Sequence, residues 1–136
     1  MQEGGCLCGS IRYSYTGEPV VNALCHCNDC RKLSGSTFSL NFLVPEVNFK
    51  LISGSPRTFT KTADSGNNIT SYFCGNCGTT PFRDGDSFPN LKIIKAGTLD
   101  DSSILNDAKP SLEGYAPSRL KWIPAIPEAS QQSPIS

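Results

Sequence analysis

What this chain of 136 residues lacks narrows its function. It has no charge bias: 12 Lys and Arg balance 12 Asp and Glu. A surface built to follow a phosphate backbone is basic, so nucleic acid is not an expected partner. No apolar run approaches the roughly 20 residues needed to cross a bilayer, so no membrane partner is expected either. The opening Met1-Gln2-Glu3-Gly4-Gly5-Cys6 has neither the basic region nor the apolar core of a signal peptide, and the expected location is the cytoplasm. No segment keeps a 3.6-residue apolar period, so helix is a minor component. Histidine is scarce too: His26 is the only one.

What is present is alternation, turn residues and sulfur. Ile11, Tyr13 and Tyr15 alternate with Arg12 and Ser14; Phe38, Leu40 and Phe42 with Ser39 and Asn41; Val47, Phe49 and Leu51 with Asn48 and Lys50. Period 2 marks half-buried strands. Further strands are expected over 20–24, 57–61, 69–73 and 91–96, with one helical turn over 29–33 and a hairpin-type turn over 64–68. The stretch 100–118 is polar and reads as a loop, and 119–123 as a late strand or anchor. Phe38, Phe42, Phe73, Phe82 and Trp122 are expected in the core or a pocket wall. With 12 Gly and 10 Pro the chain is mainly β and rich in turns. Residues 1–123 read as one domain. From Pro124 the composition shifts to Pro, Ala, Ser and Gln, and 124–136 reads as a flexible tail.

Seven cysteines without a secretory signal argue for reduced thiols and metal rather than disulfides, and the odd number agrees. Cys25, Cys27 and Cys30 form C-x-C-x-x-C. In extended backbone Cys25 and Cys27 face one way, and the following turn brings Cys30 to the same point. Zinc is the default ion for such thiolates. Three protein ligands with an open fourth position are how catalytic zinc is usually held. Alternation turns His26 away from that ion, toward a backbone hydrogen bond, and leaves it a weaker candidate as a ligand or proton shuttle. The remaining four, Cys6, Cys8, Cys74 and Cys77, suffice to close a tetrahedral shell. Gly9, Gly75 and Gly78 beside them suit turns that need φ > 0.

In order along the chain stand G-x-C-x-C-G with Tyr13, C-H-C-x-x-C-R with Gly35, F-C-x-x-C-G-T at 73–79 and A-G-T-L-D-D at 96–101. This sequence resembles the glutathione-dependent formaldehyde-activating enzyme family, which includes centromere protein V, over roughly residues 4–123. The resemblance implies a β-tent of packed antiparallel sheets with two zinc sites. It implies a structural zinc on Cys6, Cys8, Cys74 and Cys77 and a catalytic one on Cys25, Cys27 and Cys30. It also implies a carbon–sulfur lyase activity, in which glutathione and formaldehyde give S-(hydroxymethyl)glutathione. Many family members carry a Pro-x-x-His-aromatic segment beyond the position of Asp101. Here Glu113-Gly114-Tyr115 and Ser118-Arg119-Leu120-Lys121-Trp122 take its place.

A three-thiolate zinc is a poor Lewis acid but a good docking point for a substrate thiol, which it keeps deprotonated near neutral pH. The chemistry that follows is thiolate addition to formaldehyde or another small carbonyl, or its reversal. Glutathione carries two carboxylates, for which Arg31 is the first candidate partner and Arg12 and Lys32 are weaker ones. Water, Asp29 or the Asp100–Asp101 pair are candidates for proton transfer, with turn capping the commoner role for Asp29. Two other functions compete: a biosynthetic zinc enzyme that polarises a metabolite carbonyl without a thiol, and a non-catalytic zinc-stabilised binding module. An exposed sheet edge would allow a homodimer.

Overall fold

A computed structural model describes residues 1–63 and 65–133. Asp64 of the expected hairpin turn and residues 134–136 of the expected tail lie outside the described residues. Eleven strands are present among the described residues. They are β1 (Gln2–Gly5), β2 (Arg12–Tyr15), β3 (Val21–Cys25), β4 (Ser39–Pro45), β5 (Phe49–Ser53), β6 (Arg57–Thr62), β7 (Asn68–Phe73), β8 (Phe82–Gly85), β9 (Leu91–Lys95), β10 (Leu112–Gly114) and β11 (Ser130–Gln131). Helix is confined to α1 (Asn28–Ser34), α2 (Ser103–Asp107) and three single 3₁₀ turns. The protein is thus predominantly β, as the alternation predicts.

Two sheets form, one in the order β1-β2-β5 and one in the order β11-β10-β3-β4-β9-β8-β7-β6. Pairing is antiparallel except at β3–β10 and β10–β11, which are parallel. The period-2 rule gives the large sheet two unlike faces, because directly paired residues share a face. Phe42 pairs with Ile94, Ile94 with Phe82 and Phe82 with Tyr72. These face Tyr13 and Tyr15 of the small sheet, and Val44 of β4 with Ala96 and Leu99 after β9 complete the buried core. Phe49 from β5 packs on Phe82 at a centroid distance of 4.8 Å and stacks on Tyr13 at 5.8 Å. Full burial of each such aromatic is worth roughly 2–3 kcal/mol, so this cluster is the main source of packing energy. Gly4 lets the sheets close: a Cβ there would lie 2.5 Å from Tyr13 Oη.

The opposite face carries a different set. Ala23 pairs with Asn41, and Asn41 with Lys95. Leu43 pairs with Ile93, Ile93 with Arg83 and Arg83 with Ser71. Cys25 pairs with Ser39, two residues before Asn41 on β4. This face mixes cations, amides and small apolar groups, and it forms the floor of the cleft described below.

Several expectations change. The strands β1 and β8 and the short strands β10 and β11 are not expected from the sequence, because none of them carries a sustained alternation of apolar and polar residues. The stretch 100–118, read as a loop, contains α2 and β10. Trp122 is 73 % exposed and belongs to no strand. Past Pro124, β11 pairs with β10, the Ile126 N–H donates to Glu113 Oε2 at 2.8 Å, and Gln131 Nε2 donates to the same oxygen at 2.7 Å.

Candidate metal centre

The first cluster joins distant parts of the chain. Cys6 and Cys8 flank the turn after β1, and Cys74 and Cys77 the turn after β7. Their four sulfurs lie within 4.8 Å of one another. Cys6–Cys8 and Cys8–Cys74 are both 3.7 Å apart. A tetrahedral zinc with bonds of about 2.3 Å requires sulfur separations of about 3.8 Å, so the geometry fits that ion. The turns are knuckles with backbone N–H groups aimed at sulfur: Ile11 N to Cys6 at 3.2 Å and Asn76 N to Cys74 at 3.4 Å. Each knuckle exits through a left-handed glycine, Gly9 at φ 84° and Gly78 at φ 81°, whereas Gly75 has no positive φ. Hydroxyls support the thiolates further. The Ser10 hydroxyl lowers the Cys8 thiol to about 7, and the Thr79 hydroxyl lowers Cys77 to about 5.

The second cluster is local and more deeply set. Cys25 ends β3 and Cys30 sits in the first turn of α1; they are 5 % and 4 % exposed. Cys27 is the N-cap of α1, and its sulfur accepts the Cys30 N–H at 3.2 Å. The capping position usually held by Ser or Asp is thus filled by a thiol, which satisfies a helix donor and fixes the sulfur's direction. These three sulfurs also lie within 4.8 Å of one another, and no fourth ligand atom joins the group among the described residues. Hydrogen bonds from the Cys25 and then the Cys27 thiol hold Cys30 down at about 2, while the same contacts and burial push Cys25 up. A shared first proton loss of this kind makes the group a ready cation site.

His26 takes no part in the sulfur group. It is fully buried, and its Nε2 lies 2.7 Å from Glu113 Oε1 on β10. Alternation does turn it from the sulfurs, but its partner is a carboxylate rather than backbone. Burial pushes the Glu113 carboxyl up. Hydrogen bonds from Gln131, His26 and the Ile126 N–H outweigh that effect and hold it at about 2. The Arg119 guanidinium, 3.6 Å away, adds to this.

The three-cysteine group opens on a cleft of about 350 Å³. Its floor is the polar face of the large sheet, with Asn41, Arg83 and Lys95 among the lining residues. Lys95 Nζ donates to Asn41 Oδ1 at 2.8 Å, and Asn41 Nδ2 donates to Ser39 Oγ at 3.0 Å. Burial lowers the Lys95 pKa, and the Cys30 sulfur works in the opposite direction. Arg83 is buried, and its Nε donates to Ser71 Oγ at 2.9 Å. Tyr115 and Ser118, from the segment that departs from the family pattern, also line the cleft. Tyr115 has φ 53°, an uncommon backbone state for a non-glycine residue.

The polar candidates separate cleanly. Arg31 lines the cleft but already donates to Ser118 O at 3.1 Å and Asn28 Oδ1 at 3.3 Å. Asp29 lines it too and is paired with Lys61. Arg12 is bound to Asp100 away from the cleft, and Asp101 caps Ser103, so neither aspartate reaches the site. Lys32 is not among the lining residues. Sequence reasoning missed Arg83, Lys95 and Asn41. A usable signal existed in the strand 91–96, where Lys92 and Lys95 fall on opposite faces.

A mainly β chain with two separate cysteine groups, each able to hold one zinc, defines a candidate two-zinc protein. The sequence profile of the glutathione-dependent formaldehyde-activating enzyme family matches residues 1–118, and the chain belongs to that family. Its fold is similar to the crystal structure of a Rhodobacter sphaeroides protein. The TM-score is 0.59 at 16 % identity, covering 73 % of this chain and 88 % of that one. No helix among the described residues is long and apolar enough to cross a membrane.

Proposed function

We propose that the chain is a zinc-dependent enzyme of the carbon–sulfur lyase type. It adds a thiol such as glutathione to formaldehyde or another small carbonyl, or runs the reverse, in the cleft beside Cys25, Cys27 and Cys30. The observation that carries this reading is a three-sulfur group with no fourth protein ligand among the described residues, facing a cleft large enough for a small metabolite. Zinc held by these residues supplies a site at which a substrate thiol loses its proton near neutral pH. The chain's own residues do the rest. In the addition, the thiol sulfur forms a bond to the carbonyl carbon, the C=O π pair moves to oxygen, and the proton lost from sulfur ends there. Lys95 Nζ, anchored by Asn41, places positive charge where that oxygen develops its own negative charge. The cleft walls hold both reactants together, which favours addition through proximity. Cys6, Cys8, Cys74 and Cys77 hold the second, structural zinc in this reading.

The test combines zinc content with glutathione binding by calorimetry, in the wild type and Cys27→Ala. Two zinc ions per chain and glutathione binding that disappears in the variant are expected. Two ions with no thiol binding would move the function to carbonyl polarisation without a thiol. One ion, retained in the variant, would leave a zinc-stabilised binding module.

A further inference from the structure

The chain has zero formal charge, but its cleft does not. Two cations from adjacent strands, Arg83 and Lys95, line the floor. Neither forms an ion pair with a carboxylate among the described residues. Asp29, the acidic residue lining the cleft among the described residues, is paired with Lys61. Lys95 Nζ is tied to Asn41 Oδ1 at 2.8 Å. Arg83 is held at one nitrogen alone. Its Nε is fixed by Ser71 Oγ, while its two terminal nitrogens have no hydrogen-bond partner among the described residues. Arg83 is 7 % exposed as a residue, and its terminal nitrogens keep what access they have through the cleft, where an anion can meet them.

We propose that Arg83 heads a subsite for a carboxylate carried by the substrate, bound by its terminal nitrogens on the cleft floor. This rests on the thiol reading above and deepens it: the substrate is a thiol acid, recognised at one end by sulfur and at the other by charge. The preferred geometry is a fork of parallel N–H donors against a planar carboxylate. Arg31, the candidate suggested by sequence, has both terminal nitrogens already turned to protein, to Ser118 O and Asn28 Oδ1. Arg83 stands three strands from Cys25 across the sheet and four residues further along it, roughly 14 Å by about 13 Å, or about 19 Å between backbones. Both side chains reach inward from these positions, so chain length between sulfur and carboxylate is part of the selection.

The experiment uses the zinc-loaded protein and a homologous series of ω-mercapto acids, each beside its amide, with affinities read by calorimetry. At the best chain length the acid binds at least about tenfold more tightly than its amide, as expected for a buried charge-assisted pair. In Arg83→Gln, which retains a group to meet Ser71, that preference falls to within about twofold while the amide's affinity is unchanged. Should this variant fail to fold, Arg83→Lys gives the second reading: the preference survives in weakened form at a longer homologue. Equal binding of acid and amide to the wild type overturns the subsite, and so does a preference that persists in Arg83→Gln or moves with Arg31→Gln. The two readings fail separately. If no mercapto compound binds, the thiol reading is lost. The subsite is then judged by simple alkyl carboxylates, which must bind the wild type and not Arg83→Gln; absence of that binding overturns it as well.

Discussion

The two cysteine groups use the same ligand atom for opposite purposes. The four-sulfur group draws its members from residues 6–8 and 74–77 and closes its shell with protein alone. Hydroxyls and backbone N–H groups crowd its sulfurs, so negative charge is satisfied locally. The three-sulfur group draws on residues 25–30, needs no long-range closure, and turns its vacant side toward a cleft with cations on the floor. Sulfur count and sequence separation therefore point to different tasks. A tie between distant segments reduces the freedom of the unfolded chain, whereas a local trio does little for it. We assign stability to the first and chemistry to the second on that basis.

The largest effect should come from attacking the long-range tie. Cys6→Ala removes one of four ligands from a site whose zinc is worth on the order of 10 kcal/mol, comparable to the whole stability of a domain. The expected outcome is loss of the cooperative melt by circular dichroism. Cys27→Ala is expected to keep the melt within about 2 kcal/mol of wild type, because it deletes one helix cap and a local ligand. Equal unfolding of both variants would erase the distinction.

The comparison sharpens at Glu113, which anchors the residue between two sulfurs of the local trio. Glu113→Ala leaves His26, the Ile126 N–H and Gln131 facing an empty buried space. A loss of about 3 kcal/mol is expected, read as a lowered denaturant midpoint. The pH dependence has a definite sign. The folded carboxyl titrates at about 2 against an ordinary 4.5, so its contribution is complete above pH 4.5 and disappears as the pH falls toward 2. The difference in stability between wild type and Glu113→Gln should therefore shrink over that interval. This difference isolates Glu113 from acid release of the metal, which affects both proteins. The smallest effect is expected at Trp122, exposed and outside every strand: Trp122→Ala should change stability by no more than about 0.5 kcal/mol.

Much of this was legible in the residues. Cysteine spacing separates the two groups, because C-x-C in extended backbone and C-x-x-C around a turn leave few alternatives. Alternation finds β2, β4 and β5 and points His26 away from the three sulfurs. What remained hidden depends on contacts far apart in sequence. Glu113 meets His26 across 87 positions, and nothing local marks it as a buried anchor. The cleft cations were hidden for the same reason: a neutral composition says nothing of where charge collects, and Arg83 sits in a strand too short to show a pattern. Trp122 failed in the other direction, since an aromatic identity alone does not ensure burial.

The double-sided character of β4 and β9 has a consequence for how this scaffold diversifies. Phe42 and Ile94 belong to one side, Asn41 and Lys95 to the other. A one-residue insertion in either strand would shift the reading frame of the pleat and exchange the two sets, ruining both at once. Point changes confined to one parity have no such reach. New substrate preferences can therefore be written into odd-numbered positions of these strands, 41, 43, 93 and 95, while the aromatic interior is inherited unaltered.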